Sequence, residues 1–325
     1  MSDQPASNVP ALVPAPSTEL AETLARSAYH ARGTMAPETI RAWERGHKAF
    51  FRWCADQARS ALPATGEVVA EYVDALALKG DKPATIRQAV WSISVTHRMA
   101  KLPDPAKAEE VRMALKRMAR TIGIRQGQAA ALVEDDMRLA LRTAGPSPSL
   151  ATLRDLALAL VMRDLLARRS EAVAFLVEDV TIGRDGSATV LIRRGKTDQE
   201  GAGEVRWLAP RTVEQLTRWL AAAGITTGPI FRSVNKAGRV GLPLTGAEVP
   251  RILRRVAKLA GVDAKGVSGH SCRVGMAQDL AASGAEPPEL MQAGRWKSPT
   301  MPARYTERQA AGRGAVARYY EGRRS

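Results

Sequence analysis

The stretch from Ser268 to Tyr305, SGHSCRVGMAQDLAASGAEPPELMQAGRWKSPTMPARY, constrains the chain more than any other. Its glycines and prolines allow only short helices joined by turns. His270 and Arg273 stand three apart at the start of the first helix, on one face of its opening turn. Backbone N–H groups and the macrodipole favour an anion at that end. Gly284 closes this helix, Pro287-Pro288 open the next, and Gly294 ends it. Ser298-Pro299 reads as a cap followed by a first-turn proline, starting the helix that carries Tyr305.

A chain of 325 residues is long for one core and divides comfortably into two domains. Its net charge of +15 points to a polyanion as partner. The charge is not confined to one tail: residues 1–127 hold 18 Lys and Arg against 13 Asp and Glu, and residues 128–325 hold 30 against 20. Both halves are therefore suited to gripping one nucleic acid. Only Cys54 and Cys272 occur, with no secretory or membrane-length apolar run. We expect a cytoplasmic, nucleoid-associated protein with free thiols. Four histidines and two cysteines without close ligand spacing argue against a structural zinc site.

Residues 1–18 are rich in Pro, Ala and Ser and predict a disordered tail. From Pro37 the pattern is helical, with Ile40, Trp43, His47, Phe50, Phe51 and Cys54 on one face and Arg41, Arg45, Lys48 and Arg52 on another. His47 reads as a packed core histidine. A second helix carries Val69, Tyr72, Val73 and Leu76. A third follows Lys82-Pro83, with Ile86, Val90, Ile93 and His97 inward and Arg87 and Arg98 outward. The fourth turns Val111, Leu115, Met118 and Ile122 inward and Arg112, Lys116 and Arg120 outward. Three basic stripes on one small bundle predict a DNA-facing surface, with Arg41, Arg45, Arg87 and Arg98 as candidate contacts.

The domain bounds expected are 19–123 for this helical bundle, 124–133 for a Gly/Gln/Ala linker, and 134–325 for the second domain. That domain opens with a helix near Glu134–Arg142, followed by a buried central helix from Leu150 to Ala167. Phe175–Val180, Ala188–Arg193 and Glu204–Leu208 read as short strands, with Arg184-Asp185-Gly186 as a hairpin turn. Arg211–Ala222 is amphipathic. A helix within 244–260 turns Arg251, Arg254 and Arg255 outward, further candidates for DNA contact. Thr245 with Glu248 could cap it, though Pro250 favours a start just before itself. Near the end, Val316, Tyr319 and Tyr320 make one apolar face on barely two turns, too short to be stable without a surface to dock on.

H-x-x-R at 270–273, the Gly294-Arg295-Trp296 turn and a tyrosine nine positions after the Trp together resemble the tyrosine recombinases of the phage integrase family. Most members carry His where this chain has Trp296, which narrows the likeness to the Cre-like branch. The resemblance implies a mainly α fold with a small β-sheet: an α-helical core-binding domain, then a mixed α/β catalytic domain with a C-terminal docking helix. It also assigns roles. Arg168, followed by Ser170-Glu171, becomes the catalytic arginine, with the adjacent Arg169 as rival; Glu171 holds its neighbours in register. Arg168 and Arg273 bind the non-bridging oxygens of a phosphodiester through paired, planar donors, and the Trp296 indole adds one more. His270 serves as base for the Tyr305 nucleophile, and Lys196, in Gly195-Lys196-Thr197, as general acid for the departing 5′ oxygen. No metal or other cofactor is implied. The expected partners are double-stranded DNA with a specific target site and three further copies of the chain, a homo-tetramer on paired sites, with no membrane. A DNA-binding protein of the same fold without recombination, and a type IB topoisomerase-like nicking-closing enzyme, are the alternatives.

Overall fold

The computed structural model describes residues 18–125, 127–193 and 202–321. The expected disordered tail, Lys196 and its loop lie outside them, apart from Thr18. The chain divides into two compact units after Gln126, inside the stretch read as a linker.

The N-terminal unit is a helical bundle of α1 (Thr18–Thr34), α2 (Pro37–Asp56), α3 (Gly66–Leu78), α4 (Pro83–Met99) and α5 (Glu109–Ile122). Proline opens α2 and α4, and the Thr65 hydroxyl accepts from the Val68 N–H at the start of α3. Helix α2 packs on α4 and α3 on α5. Gly46 makes the first contact close, since a Cβ there would collide with the Ser92 side chain. Phe50, Val69, Val73, Ile86, Ile93, Val111 and Met118 fill the core. A Leu- or Ile-sized truncation in such a core costs about 2–5 kcal/mol. Ile122, expected inward, is instead exposed, because α5 runs out at Gly123 one turn beyond its last buried residue, Met118. Helix α1 is not marked by the sequence pattern; among its described side chains only Ala31 is buried, so its apolar period is weak.

The C-terminal unit begins with α6 (Glu134–Ala144) and α7 (Leu150–Asp164). Every residue from Leu153 to Arg163 is buried, as expected of a central helix. A four-residue helix, α8 (Arg169–Ala172), leads to β1 (Val180–Ile182), β2 (Ala188–Ile192) and β3 (Glu204–Leu208), an antiparallel sheet in that order. The strand expected over 175–180 is not formed. Phe175 is drawn into the core, Leu176 makes an isolated bridge to Pro229, and 177–179 make a 3-10 turn closed by Asp179 accepting from the Leu176 N–H, so that of this stretch Val180 alone joins the sheet. Then follow α9 (Pro210–Ala223), an unanticipated hairpin of β4 (Arg232–Val234) and β5 (Val240–Pro243), and α10 (Val249–Leu259). Helix α10 starts just before Pro250, while Glu248 accepts from Thr245 in the preceding turn. The chain ends with α11 (Ser271–Ala282), α12 (Pro287–Gly294), α13 (Thr300–Tyr305), α14 (Glu307–Gly312) and α15 (Ala315–Glu321). Pro299, not Ser298, caps α13, because the first turn falls one residue later than the Ser-Pro pattern suggested.

Candidate active site

Arg168 follows the sharp end of α7. Leu166 there takes a left-handed backbone (φ 44°) and the Ala167 N–H donates to the Met162 carbonyl. Arg168 then caps α8, and its N–H and guanidinium both donate to the Glu171 carboxylate, at 2.9 and 2.7 Å. Glu171 is 4% exposed. Burial alone would raise its pKa, but the Arg168 N–H, the Arg295 charge and the guanidinium bonds pull it below the usual carboxylate range. Arg169, the rival, is exposed, its stem crossing Gly246 and Gly269. Of the two arginines, Arg168 is the one tied to Glu171.

Helix α11 brings the next two residues. His270 caps it, exposed, with its N–H donating to the Ser268 hydroxyl. Arg273, in the first turn, is 2% exposed. Its guanidinium donates to the carbonyls of Leu166 and Gly294 and lies 4.5 Å over the centre of the Trp296 ring. It has no carboxylate within ion-pair distance among the described residues. Burial first, then the charges of Arg168 and Arg295, pull its pKa down to about 10. A cation so placed gains from any anion delivered beside it.

Gly294 ends α12, and a Cβ on it would run into the Trp296 indole, so this glycine allows the ring to fold back. The Tyr305 ring meets that indole edge-on at 5.7 Å. Tyr305 is 8% exposed and packs with Leu166, Val274 and Ala277. Its carbonyl accepts from the side chains of Gln128 and Gln278, at 3.2 and 3.1 Å, which fixes the end of α13. Arg168, Arg273, Trp296 and Tyr305 thus converge from four separate segments. Lys196 lies outside the described residues.

Two supports were not legible in the sequence. Arg163, 3% exposed on α7, reaches Asp279 on α11 and donates to the Leu132 carbonyl at 3.0 Å. The Glu134 N–H donates to the same Asp279 at 2.9 Å. Leu132 lies flat against α11, where a Cβ on Gly275 would collide with its carbonyl. This knot locks α7 and α11, and hence the approach of Arg168 to Arg273. The second support is Arg295, which donates to Glu171 at 2.7 Å. Arg163 lies in a mostly apolar helix, and Arg295 inside the Gly-Arg-Trp turn, but neither position shows in sequence which carboxylate its side chain reaches.

The expected DNA contacts divide. Arg41, Arg45, Arg87 and Arg98 are all exposed on α2 and α4, Arg41 beside Glu38. Arg251 is exposed on α10. Arg255 is engaged within the protein, donating to the buried Asp155 at 2.6 Å, and Arg254 donates to the Val267 carbonyl at 3.2 Å. The amphipathic period of α10 marks both as outward, and both are exposed; it cannot show that each side chain also bonds back to its own unit.

The sequence pattern of the phage integrase family matches residues 130–311. An integrase/recombinase XerD homolog of Selenomonas ruminantium is 31% identical over 282 residues, covering 84% of this chain and 82% of its own. The recombinase Cre of Escherichia phage P1 is 27% identical over 291 residues, covering 84% and 85%. Among solved structures, the Tn1549 transposon integrase in complex with transposon right end DNA is similar with a TM-score of 0.63 at 14% identity, over 90% of this chain and 98% of that one. A lambda integrase dimer bound to a COC′ core site gives 0.60 at 18% identity, over 88% and 94%. Over these lengths, and with the Arg, Trp and Tyr side chains gathered as described, the conclusion is direct: this chain belongs to the phage integrase family.

Proposed function

We propose that the protein is a site-specific tyrosine recombinase that cleaves and rejoins double-stranded DNA through a 3′-phosphotyrosyl link on Tyr305 and a Holliday junction. The observation that carries this reading is the Arg273–Trp296–Tyr305 cluster: a buried guanidinium, without a carboxylate partner among the described residues, over the indole ring, and the candidate nucleophile edge-on to the same indole. In the step proposed, the Tyr305 oxygen attacks phosphorus in line, the bond to the 5′ oxygen breaks, and Lys196 supplies the proton that leaves with it. His270 takes the phenolic proton. Arg168, Arg273 and the Trp296 N–H stabilise charge on the non-bridging oxygens. The ester keeps the bond energy, so the free 5′ hydroxyl of a partner strand reverses the step and reseals the DNA. Related proteins support the assembly: one solved lambda integrase is a tetramer bound to a Holliday junction, and one XerH structure is a post-cleavage complex on its difH substrate. By that analogy the chain acts as a homo-tetramer on paired specific sites, in the cytoplasm on nucleoid DNA.

A nicked suicide duplex tests the nucleophile. Tyr305→Phe should bind it normally and form no covalent adduct. Tyr319 and Tyr320 are exposed rivals. An adduct that survives Tyr305→Phe and disappears with Tyr319→Phe or Tyr320→Phe would overturn the assignment.

We assign α15 to docking on the next protomer. Its Val316, Tyr319 and Tyr320 are 73%, 54% and 63% exposed, an apolar face turned largely to solvent on a helix too short to stand alone in water. Truncation after Gln309 should leave single-site affinity within a few fold and abolish two-site recombination. Full recombination by the truncated chain would refute docking in trans.

A further inference from the structure

We propose that Arg295 is a positioning residue for DNA cleavage, holding Arg168 in place through the Glu171 carboxylate that the two guanidiniums share. The inference rests on the recombinase reading above. It begins with the backbone. Arg295 sits at φ 53°, ψ 46°, the left-handed region where a glycine is at ease and an L side chain is strained. The neighbouring glycine, Gly294, cannot be traded into that place, because the Trp296 indole needs the space over it. An arginine in a strained position must gain something through its side chain.

That gain is visible at Glu171. The Arg295 side chain is only 9% exposed. Its Nη2 donates to Glu171 Oε2 at 2.7 Å, while Arg168 Nη1 donates to Oε1 at 2.7 Å and the Arg168 N–H to Oε2 at 2.9 Å. Among the described residues, the nearest other carboxylate oxygen to Arg295, Glu204 Oε2, stands 4.0 Å from its Nε, which has no hydrogen-bond partner there. Glu171 is therefore the close anionic contact of Arg295. The carboxylate plane is fixed by donors on both oxygens, and that plane aims the Arg168 fork. Arg168 is the most exposed of the three side chains, at 19%, so packing alone constrains it least. Without Arg295, Glu171 answers to Arg168 alone and the pair can turn as a unit. With it, the turn of α12 that carries Trp296 and the α8 cap that carries Arg168 share one carboxylate.

A purely structural Arg295 would make a different prediction. Replacing it by glycine relieves the backbone, so a filler residue would be lost with equal or higher Tm and unchanged cleavage. Positioning predicts a split between binding and chemistry. The test is single-turnover cleavage of a nicked suicide duplex at saturating protein, with DNA affinity measured beside it, for wild type, Arg295→Gly, Arg295→Lys, Glu171→Gln and the two double variants. Arg295→Gly should cleave about 10–100-fold more slowly with affinity within a few fold. Arg295→Lys, which keeps a charge but not the fork, should fall between and remains informative should the glycine variant fail to fold. Combining either with Glu171→Gln should add little, because both act through one carboxylate. Wild-type rates in both Arg295 variants, or losses that multiply fully with Glu171→Gln, would overturn the proposal. Absence of any covalent adduct from the wild-type protein, run in parallel, would instead overturn the recombinase reading, and the inference with it.

Discussion

In the N-terminal unit Arg41, Arg45, Arg87 and Arg98 stand exposed on α2 and α4, whereas in the C-terminal unit Arg154, Arg163 and Arg273 are 4%, 3% and 2% exposed. The C-terminal unit also organises its arginines differently, buried and exposed alike. One carboxylate is shared between arginines again and again: Asp155 between Arg154 and Arg255, Glu134 between Arg138 and Arg211, Glu171 between Arg168 and Arg295. A shared carboxylate neutralises only part of the charge and holds the rest rigid, which suits a site that must meet an anion without reorganising. Arg273 goes furthest, held by two carbonyls and an indole face. Exposed arginines, by contrast, keep their freedom and their water. They attract a polyanion at long range and lose that attraction in salt.

The sharpest way to break this division is to exchange the outcomes. Arg273→Lys keeps the charge and removes the planar fork, and should cost about 10²–10³ in cleavage rate while leaving DNA affinity and its salt dependence nearly intact. Replacing Arg41, Arg45, Arg87 and Arg98 together by Gln should do the reverse. The slope of log affinity against log salt should flatten by up to about 0.9 for each phosphate no longer neutralised, while cleavage at saturating protein stays within a few fold. Gel-shift titration over a salt series and single-turnover cleavage read the two effects separately. A quadruple variant that cleaves as slowly as Arg273→Lys would erase the distinction between the units.

The same division explains what the sequence could reveal. Helices α2 to α5 and α7 were legible because each repeats an apolar residue every three or four positions, or is apolar all round. The hairpin of β4 and β5 was not. Its strands are three and four residues long, with a bulge between Arg232 and Val234, so no alternation can establish itself. At the site, Arg168, Glu171, His270, Arg273, Trp296 and Tyr305 could be named from spacing and resemblance together. Arg295 sat in plain view inside the Gly-Arg-Trp turn, but its left-handed backbone and its reach to Glu171 are tertiary facts. So is the bond from the half-exposed Arg255 side chain to Asp155. A helical period tells which way a Cβ points, and an arginine carries its charge several bonds beyond it.

Acid offers the smallest expected effect and the most direct contrast between the units. His47 and His97 both titrate below their ordinary 6.5, chiefly through burial. His97 Nε2 accepts from the Ala64 N–H at 2.9 Å and Nδ1 donates to the Ile93 carbonyl at 2.9 Å, so the neutral ring is the one the fold requires. The unfolded chain takes a proton near 6.5 and the folded unit resists it, so unfolding binds protons and stability falls as pH drops below 6.5, levelling once the folded values are passed. In the C-terminal unit Glu134, drawn down to about 2 chiefly by the Arg211 hydrogen bond, and Glu171 are carboxylates with lowered pKa, whereas burial raises that of Asp164, which favours the fold as pH falls. The contribution of Glu134 and Glu171 is complete above about 4.5 and is lost only as pH falls through that value toward about 2. Between about pH 7 and pH 5.5, then, the N-terminal unit should weaken while the C-terminal unit holds. Residue-resolved hydrogen exchange, corrected for the intrinsic pH dependence of exchange, reads both units in one intact chain. His97→Gln, which can still accept from Ala64 but does not titrate, should flatten most of the N-terminal loss. Equal weakening of the two units over that interval, or a loss untouched by His97→Gln, would show that His97 does not set the acid limit of the bundle.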